Sequence, residues 1–423
     1  MSHFHYQNGE LYAEQLALSE VAAQFGTPCY VYSRAALQAA CDSWQQACQG
    51  RDSLICYSVK SNSNLAILHI LAKQGFGFDI VSGGELRRVL AAGGAAQKVI
   101  FSGVGKSREE IRFALQQQVA CFNVESASEL LRINQIAGEL GCRAPISLRV
   151  NPDVDAQTHP YISTGLKENK FGIAYEEALP LYRMAAGLPH LQVHGIDCHI
   201  GSQLLDDAPL LAAFERIALL VDTLAAEGIH LQHLDIGGGL GIRYTSDQQP
   251  VPVGDYLQHL FARIDAWRAR SAHTQALRIV FEPGRSIIGN CGLLLSRVEY
   301  LKHGAGKNFA IVDAAMNDLL RPALYQAWHE VLPLQQHARA AQLYDIVGPV
   351  CESADWLARA RELALQEDDL LAFMSAGAYG MTMSSNYNTR ARAAEVLVDG
   401  AQMHLIRERE QLDSLFALEK IPF

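Results

Sequence analysis

Between residues 53 and 284 the chain repeats one grammar eight times: a short, nearly continuous apolar run, then a stretch with helical spacing. The runs are SLICYSVK (53–60), GFGFDIVS (75–82), KVIFSG (98–103), ACFNVES (120–126), PISLRVN (145–151), HGIDCHIG (194–201), HLDIGGG (233–239) and RIVFEPG (278–284). A strand with one wet face alternates apolar and polar residues, whereas most of these do not, so both of their faces must be covered. Parallel strands need a crossover between them, and the intervening stretches supply it. Ser107 with Glu110, and Ser126 with Glu129, match the capping box, in which two orphan amides at a helix start are satisfied reciprocally. Leu130, Ile133, Ala137 and Leu140 recur at three- and four-residue spacing and predict one buried stripe. Eight such units over about 230 residues predict a (β/α)8 TIM-type barrel, whose usual size is about 250 residues. An open, doubly wound sheet is the alternative.

After Gly284 the pattern changes to LLLSRVEYL, NFAIVDAAM, LYDIVGP, LLAFMSAGAYG and AEVLVDG, separated by Gly, Pro, Asn and Asp. These runs predict antiparallel strands in a second, mainly β domain of barrel or sandwich type. The expected division is a barrel over 41–284 and a β domain made of 1–40 with 285–423. A chain of 423 residues, 49% hydrophobic, can fill two cores, and such a composition excludes a disordered protein. With 35 basic against 45 acidic residues, the net charge of −10 leaves no positive excess for nucleic acid. Nine cysteines with no C-x-x-C pairing suit a reducing compartment. No run approaches the ~18 apolar residues of a membrane span, and the N-terminal sequence lacks a basic stretch followed by an apolar one. A cytoplasmic protein without membrane or nucleic-acid partners is expected.

In a barrel of this kind the functional groups sit where strands end. Lys60 closes the first run, His199 the sixth, Gly237, Gly238 and Gly239 the seventh, and Glu282 and Arg285 the eighth. Each has a bland alternative. Lys60 can snorkel at the rim; as a nucleophile it needs walls that desolvate the amine and lower its pKa. The glycines either bare backbone amides to an anion or simply turn the chain tightly. Glu282 and Arg285 can satisfy one another, and His199 can be a core histidine. Glu282 and His199 bring no clear third ligand for a metal.

These elements occur together, in order, with others downstream. Lys60 in YSVKSNSN, FDIVSGGEL (78–86), HIGSQ (199–203), GGGLG (237–241), FEPGR (281–285), GPVCESAD (348–355) and SSNYNTR (384–390) closely resemble the diaminopimelate decarboxylases, pyridoxal-phosphate enzymes of the alanine racemase-like fold type. The resemblance implies pyridoxal 5'-phosphate as cofactor, held covalently by Lys60, with His199 stacked on its ring and Glu282 on the ring nitrogen. It places the phosphate among Gly238, Gly239, Gly284, Arg285, Ser202 and Tyr387. It further implies substrate contacts from Arg285, Arg321, Tyr325, Glu352 and Tyr387, with Cys351 as the acid presented from a neighbouring subunit of a homodimer. The implied reaction takes meso-2,6-diaminopimelate to L-lysine and CO2. Competing expectations are a related decarboxylase acting on ornithine, arginine, a D-amino acid or carboxynorspermidine, and a silent cofactor carrier.

Overall fold

The computed structural model describes residues 3–154 and 170–423. They form two compact units, one made of Cys41–Ile242 and Gln249–Ser286, the other of Met1–Ala40, Arg243–Gln248 and Ile287–Phe423.

The first unit is a closed barrel of eight parallel strands: β1 (Ser53–Ser58), β2 (Gly77–Ile80), β3 (Val99–Phe101), β4 (Cys121–Val124), β5 (Ala144–Asn151), β6 (Leu191–Asp197), β7 (His233–Asp235) and β8 (Arg278–Phe281). Each pairs with the next, and β8 returns to β1 through Ile279–Ser53, Val280–Leu54 and Phe281–Ile55, so no edge is left open. All eight predicted runs become strands, and the open-sheet alternative is excluded by the closure. Phe281 faces outward against Trp44 and Phe261, with ring centroids 5.8 and 6.0 Å away. Val280 faces inward, in a buried cluster with Cys56, Ile100 and Cys121.

Helix starts follow the sequence in one case and depart from it in another. At Arg108–Gln116, Ser107 accepts the Glu110 amide and Glu110 accepts the Ser107 amide, a complete capping box. At Ala127–Glu139, Ser126 accepts the Glu129 amide, but the Glu129 carboxylate reaches past it to the Glu125 amide (2.8 Å) and the Lys106 ammonium (2.7 Å). The second predicted box is therefore only half formed, because a buried cation offers Glu129 a stronger, charge-assisted bond. Leu130, Ile133 and Ala137 are fully buried as predicted, and Leu140, at the helix end, is half-buried.

In the second unit the long strand Gly292–Lys302 pairs antiparallel with Asn308–Val312, Leu370–Phe373 and Cys29–Ser33. Two pairings depart from the antiparallel expectation: Asn308–Val312 runs parallel to Gln342–Val347, and Cys29–Ser33 runs parallel to Ala394–Asp399. Val31, Leu293, Leu295, Val396 and Val398 share the core beneath this sheet. Among the described residues, no helix is long and apolar enough to cross a membrane.

Candidate active site

The barrel's apolar interior gives way to a ring of polar side chains near the C-terminal ends of its strands. Ser58, Asp79, Ser102, Asn123, Arg149, Asp197, Asp235 and Glu282 stand at or just past the ends of β1 to β8 in order, Ser102 and Glu282 one residue beyond β3 and β8, and all are buried. Inward positions recur every second residue, so Glu282 stands two places beyond the inward Val280 and Asn123 two beyond the inward Cys121. Buried polar groups need partners, and this ring only partly supplies them. Asp79 Oδ2 takes the Lys60 ammonium at 3.0 Å and the Ser58 hydroxyl at 2.9 Å. Arg149 donates to Glu125 at 3.2 Å and lies 3.9 Å from Asp197. Asp79 Oδ1, Asn123 Oδ1, Asp197 Oδ1 and Asp235 Oδ2 have no partner among the described residues.

Acid exceeds base in this ring, with physical consequences. One oxygen from each of Asp197, Asp235 and Glu282 lies within 4.8 Å of the others. Burial, and then the neighbouring carboxylates, push Glu282 and Asp235 well above the usual carboxylate range. Burial raises Asp197 to about 7 against the pull of Arg149. Like charges this close inside a low-dielectric barrel cannot all ionise, so the cluster retains protons at neutral pH. Beside Glu282 the sequence offered no third ligand; the fold brings Asp197 and Asp235 to it.

His199 follows β6 and faces the glycine turn after β7. The Gly238 amide donates to His199 Nδ1 at 3.2 Å; an amide only donates, so this nitrogen carries no proton and Nε2 does. Burial holds the ring well below its ordinary pKa, hence neutral. The turn itself requires glycine. A Cβ on Gly238 would lie 2.1 Å from the Glu282 carbonyl oxygen, and one on Gly239, at φ +114°, would lie 2.6 Å from that of Gly201. Asp235 Oδ1 caps the turn by accepting the Gly237 amide at 2.8 Å.

Arg285 leaves the β8 turn toward Ser202, whose hydroxyl it reaches from Nη2 at 3.0 Å and Nε at 3.3 Å. A cavity of about 420 Å3 at the barrel mouth is lined by Lys60, Ser102, Gly103, Arg149, Phe171, His199 and Glu282, among others. Lys60, His199 and Glu282 thus meet at one cavity. The surroundings of Lys60 differ from the expected desolvating walls: its side chain is 37% exposed and its neighbour is the fully buried Asp79 carboxylate.

The downstream motifs belong to the second unit, where hydrogen bonds gather them. The Cys351 amide donates to Asn388 Oδ1 at 2.9 Å, the Ser385 amide to the Asn317 carbonyl at 2.9 Å, and the Met316 amide to Asp355 Oδ1 at 2.6 Å. GPVCESAD, SSNYNTR and NDLLRPALY (317–325), the stretch that holds Arg321 and Tyr325, are thus hydrogen-bonded into one cluster. Asp355, 4% exposed, also accepts the Val350 amide, and a Cβ on Gly348 would meet its carboxylate at 2.5 Å. Cys351, Glu352 and Tyr387 are exposed, Tyr325 is half-buried and Arg321 is buried.

Sequence reasoning missed Asp79, Arg149, Asp197 and Asp235. Their signal was present: FDI, LRV, GID and LDI each carry the one Asp, Glu, Lys or Arg of their strand.

The pyridoxal-binding domain model of the pyridoxal-dependent decarboxylases matches residues 34–289. The chain is 57% identical over 422 residues to a diaminopimelate decarboxylase of Vibrio cholerae and 59% identical over 421 residues to one of Pseudomonas aeruginosa, covering 100% of this chain and 99% of each relative. Its fold is similar to that of diaminopimelate decarboxylase from Helicobacter pylori, solved with L-lysine (TM-score 0.90, 42% identity, 95% of this chain and 99% of that one). It is also similar to the enzyme of that name from M. jannaschii (TM-score 0.94, 36% identity, 99% and 98%).

Proposed function

The chain belongs to the diaminopimelate decarboxylases, within the pyridoxal-dependent decarboxylase family, and from that premise we propose that it converts meso-2,6-diaminopimelate to L-lysine and CO2 with pyridoxal 5'-phosphate as cofactor. The observation that carries this reading is the meeting of an amine, a neutral imidazole and a proton-retaining carboxyl, those of Lys60, His199 and Glu282, at one cavity in a barrel mouth.

The residues present fit that cofactor. The bare glycine turn leaves backbone where side chains would otherwise stand, and the Ser202 hydroxyl and Arg285 guanidinium suit a phosphate. Donor-poor oxygens at the barrel floor suit a protonated ring nitrogen. When bound, the cofactor provides an electron sink for the pair left at Cα as CO2 departs.

The chain's own groups supply the rest. Lys60 would hold the cofactor covalently through its amine. Glu282 would hold a proton toward the ring nitrogen, and its carboxylate neighbours would help keep that proton in the site. His199, uncharged, would pack against the cofactor without opposing the positive charge that the sink requires. Gly238, Gly239, Gly284, Arg285, Ser202 and Tyr387 would be the residues that hold the cofactor's phosphate.

Arg285 and Arg321, with Tyr325 and Tyr387, receive the carboxylate that survives the reaction, and Glu352 the distal ammonium. Cys351, presented from the neighbouring subunit of a homodimer, returns a proton to Cα. In this reading the barrel holds the cofactor, the β domain recognises substrate and forms the dimer, and the protein works in the cytoplasm.

The test is the product made from meso-2,6-diaminopimelate with and without added pyridoxal phosphate, alongside ornithine and lysine as rival substrates. L-lysine as product, dependent on the cofactor, is expected. Borohydride trapping followed by peptide mapping should label Lys60; a label elsewhere overturns the assignment.

A further inference from the structure

Arg321 is an unusual donor for a substrate, because the protein already grips one end of it. Its Nη1 donates to the Tyr244 hydroxyl at 2.9 Å and to His329 Nε2 at 3.1 Å, and its guanidinium carbon lies 4.8 Å from the centre of the Tyr244 ring. His329 is fully buried and meets Tyr244 edge to face, with centroids 5.5 Å apart. The two nitrogens of His329 have one-sided partners. Nδ1 faces the Met374 carbonyl at 2.8 Å, which only accepts, and Nε2 faces a guanidinium, which only donates. Both contacts are satisfied by one form alone: a neutral ring, protonated on Nδ1. The His329 carbonyl is in turn held by Arg361 Nη2 at 2.9 Å. An arginine recognises a carboxylate through a planar fork, so its affinity depends on the plane being fixed beforehand.

We propose that His329 and Tyr244 are positioning residues that lock the Arg321 guanidinium for the surviving carboxylate of the substrate, and so set specificity without touching it. This rests on the reading of Arg321 given above. Neither residue belongs to the motifs that drew attention to the downstream unit. Tyr244 comes from the short stretch Arg243–Gln248, which follows the glycine turn in sequence but groups with the β unit.

The experiment compares His329→Leu, His329→Gln, Tyr244→Phe and Arg321→Ala in the cofactor-loaded enzyme. Two inhibitors are added: L-lysine, which carries the surviving carboxylate, and 1,5-diaminopentane, which does not. Losing a hydrogen bond to a charged group that fixes a recognition element weakens recognition about tenfold or more. The expected result for His329→Leu is therefore a KM raised about tenfold, kcat within about threefold, L-lysine inhibition weakened in parallel and 1,5-diaminopentane inhibition unchanged. His329→Gln, which keeps an acceptor, should recover most of the loss. Tyr244→Phe, which removes only a hydroxyl, should show the same pattern in smaller measure and decides the matter if His329→Leu does not fold. An unchanged KM in Arg321→Ala overturns the reading of Arg321 itself. A raised KM there, with an unchanged KM in His329→Leu and Tyr244→Phe, overturns the positioning role alone. Equal weakening of both inhibitors would mean general disorder of the site and also overturns it.

Discussion

Replacing Glu282 by glutamine tests the barrel floor most directly. The side chain keeps its size and burial but can no longer share a proton with a ring nitrogen. Its Oε1 lies 3.5 Å from both the Ser102 hydroxyl and the Asn123 amide, and a glutamine amide can still donate to the neighbouring Asp235 carboxylate. What disappears is a charge-assisted contact worth about 1.5–3 kcal/mol, which at about 1.36 kcal/mol per decade slows decarboxylation roughly 10–100-fold. The same change removes one of three crowded acids, so the fold should be no less stable. CO2 release gives the rate, the yellow colour of the purified protein reports retained cofactor, and a thermal melt gives stability. A normal rate in a yellow, cofactor-loaded Glu282→Gln protein would refute the reasoning, as would a slow rate explained by a collapsed melting temperature.

Lys106 is 1% exposed and donates to Glu129, the Gly103 carbonyl and the Asn123 carbonyl at 2.7, 2.8 and 2.7 Å. Lys106→Met should cost about 3–5 kcal/mol by stranding the buried carboxylate, lowering the barrel's melting temperature by on the order of 10 °C, with partial recovery when Glu129→Gln is added. Burial raises Asp318 from 3.8 to about 7. The folded chain then holds a proton that the unfolded chain releases, so stability falls as pH rises through that window by up to about 1.4 kcal/mol per pH unit. Urea titrations of Asp318→Asn across the window should show a flatter dependence, and an identical slope would count against it. Mixing Lys60→Ala with Cys351→Ala protein should restore activity through one intact site per heterodimer; no recovery argues against a shared site.

The barrel was legible because its strands are covered on both sides, which leaves continuous apolar runs in the sequence. Lys60, His199, the glycine turn, Glu282 and Arg285 were legible because they stand at or just past the ends of those runs, where polar residues stand out. Asp79, Arg149, Asp197 and Asp235 lie inside the runs. A lone charge in a strand is indistinguishable from an outward one until neighbouring strands set its facing, so the ring emerges only from eight registers taken together. Glu129 shows the same limit locally, since its spacing fitted a capping box but a lysine over twenty residues away claimed the carboxylate. The two parallel pairings in the β unit join runs whose partners lie far along the chain, and an apolar pattern carries no information about partner choice.

The Cys29–Ser33 strand completes its pairing only with Ala394–Asp399, and the Tyr32 hydroxyl closes on Glu395 at 2.7 Å across 363 positions. At a synthesis rate of about 5–20 residues per second, the early strand waits about 20–70 s on the ribosome for this neighbour. The closed barrel encoded in between can fold during that interval. An apolar CYVYS segment left waiting that long is a natural client for chaperones, and slowing translation should hurt the yield of this protein through its first forty residues rather than through its catalytic core.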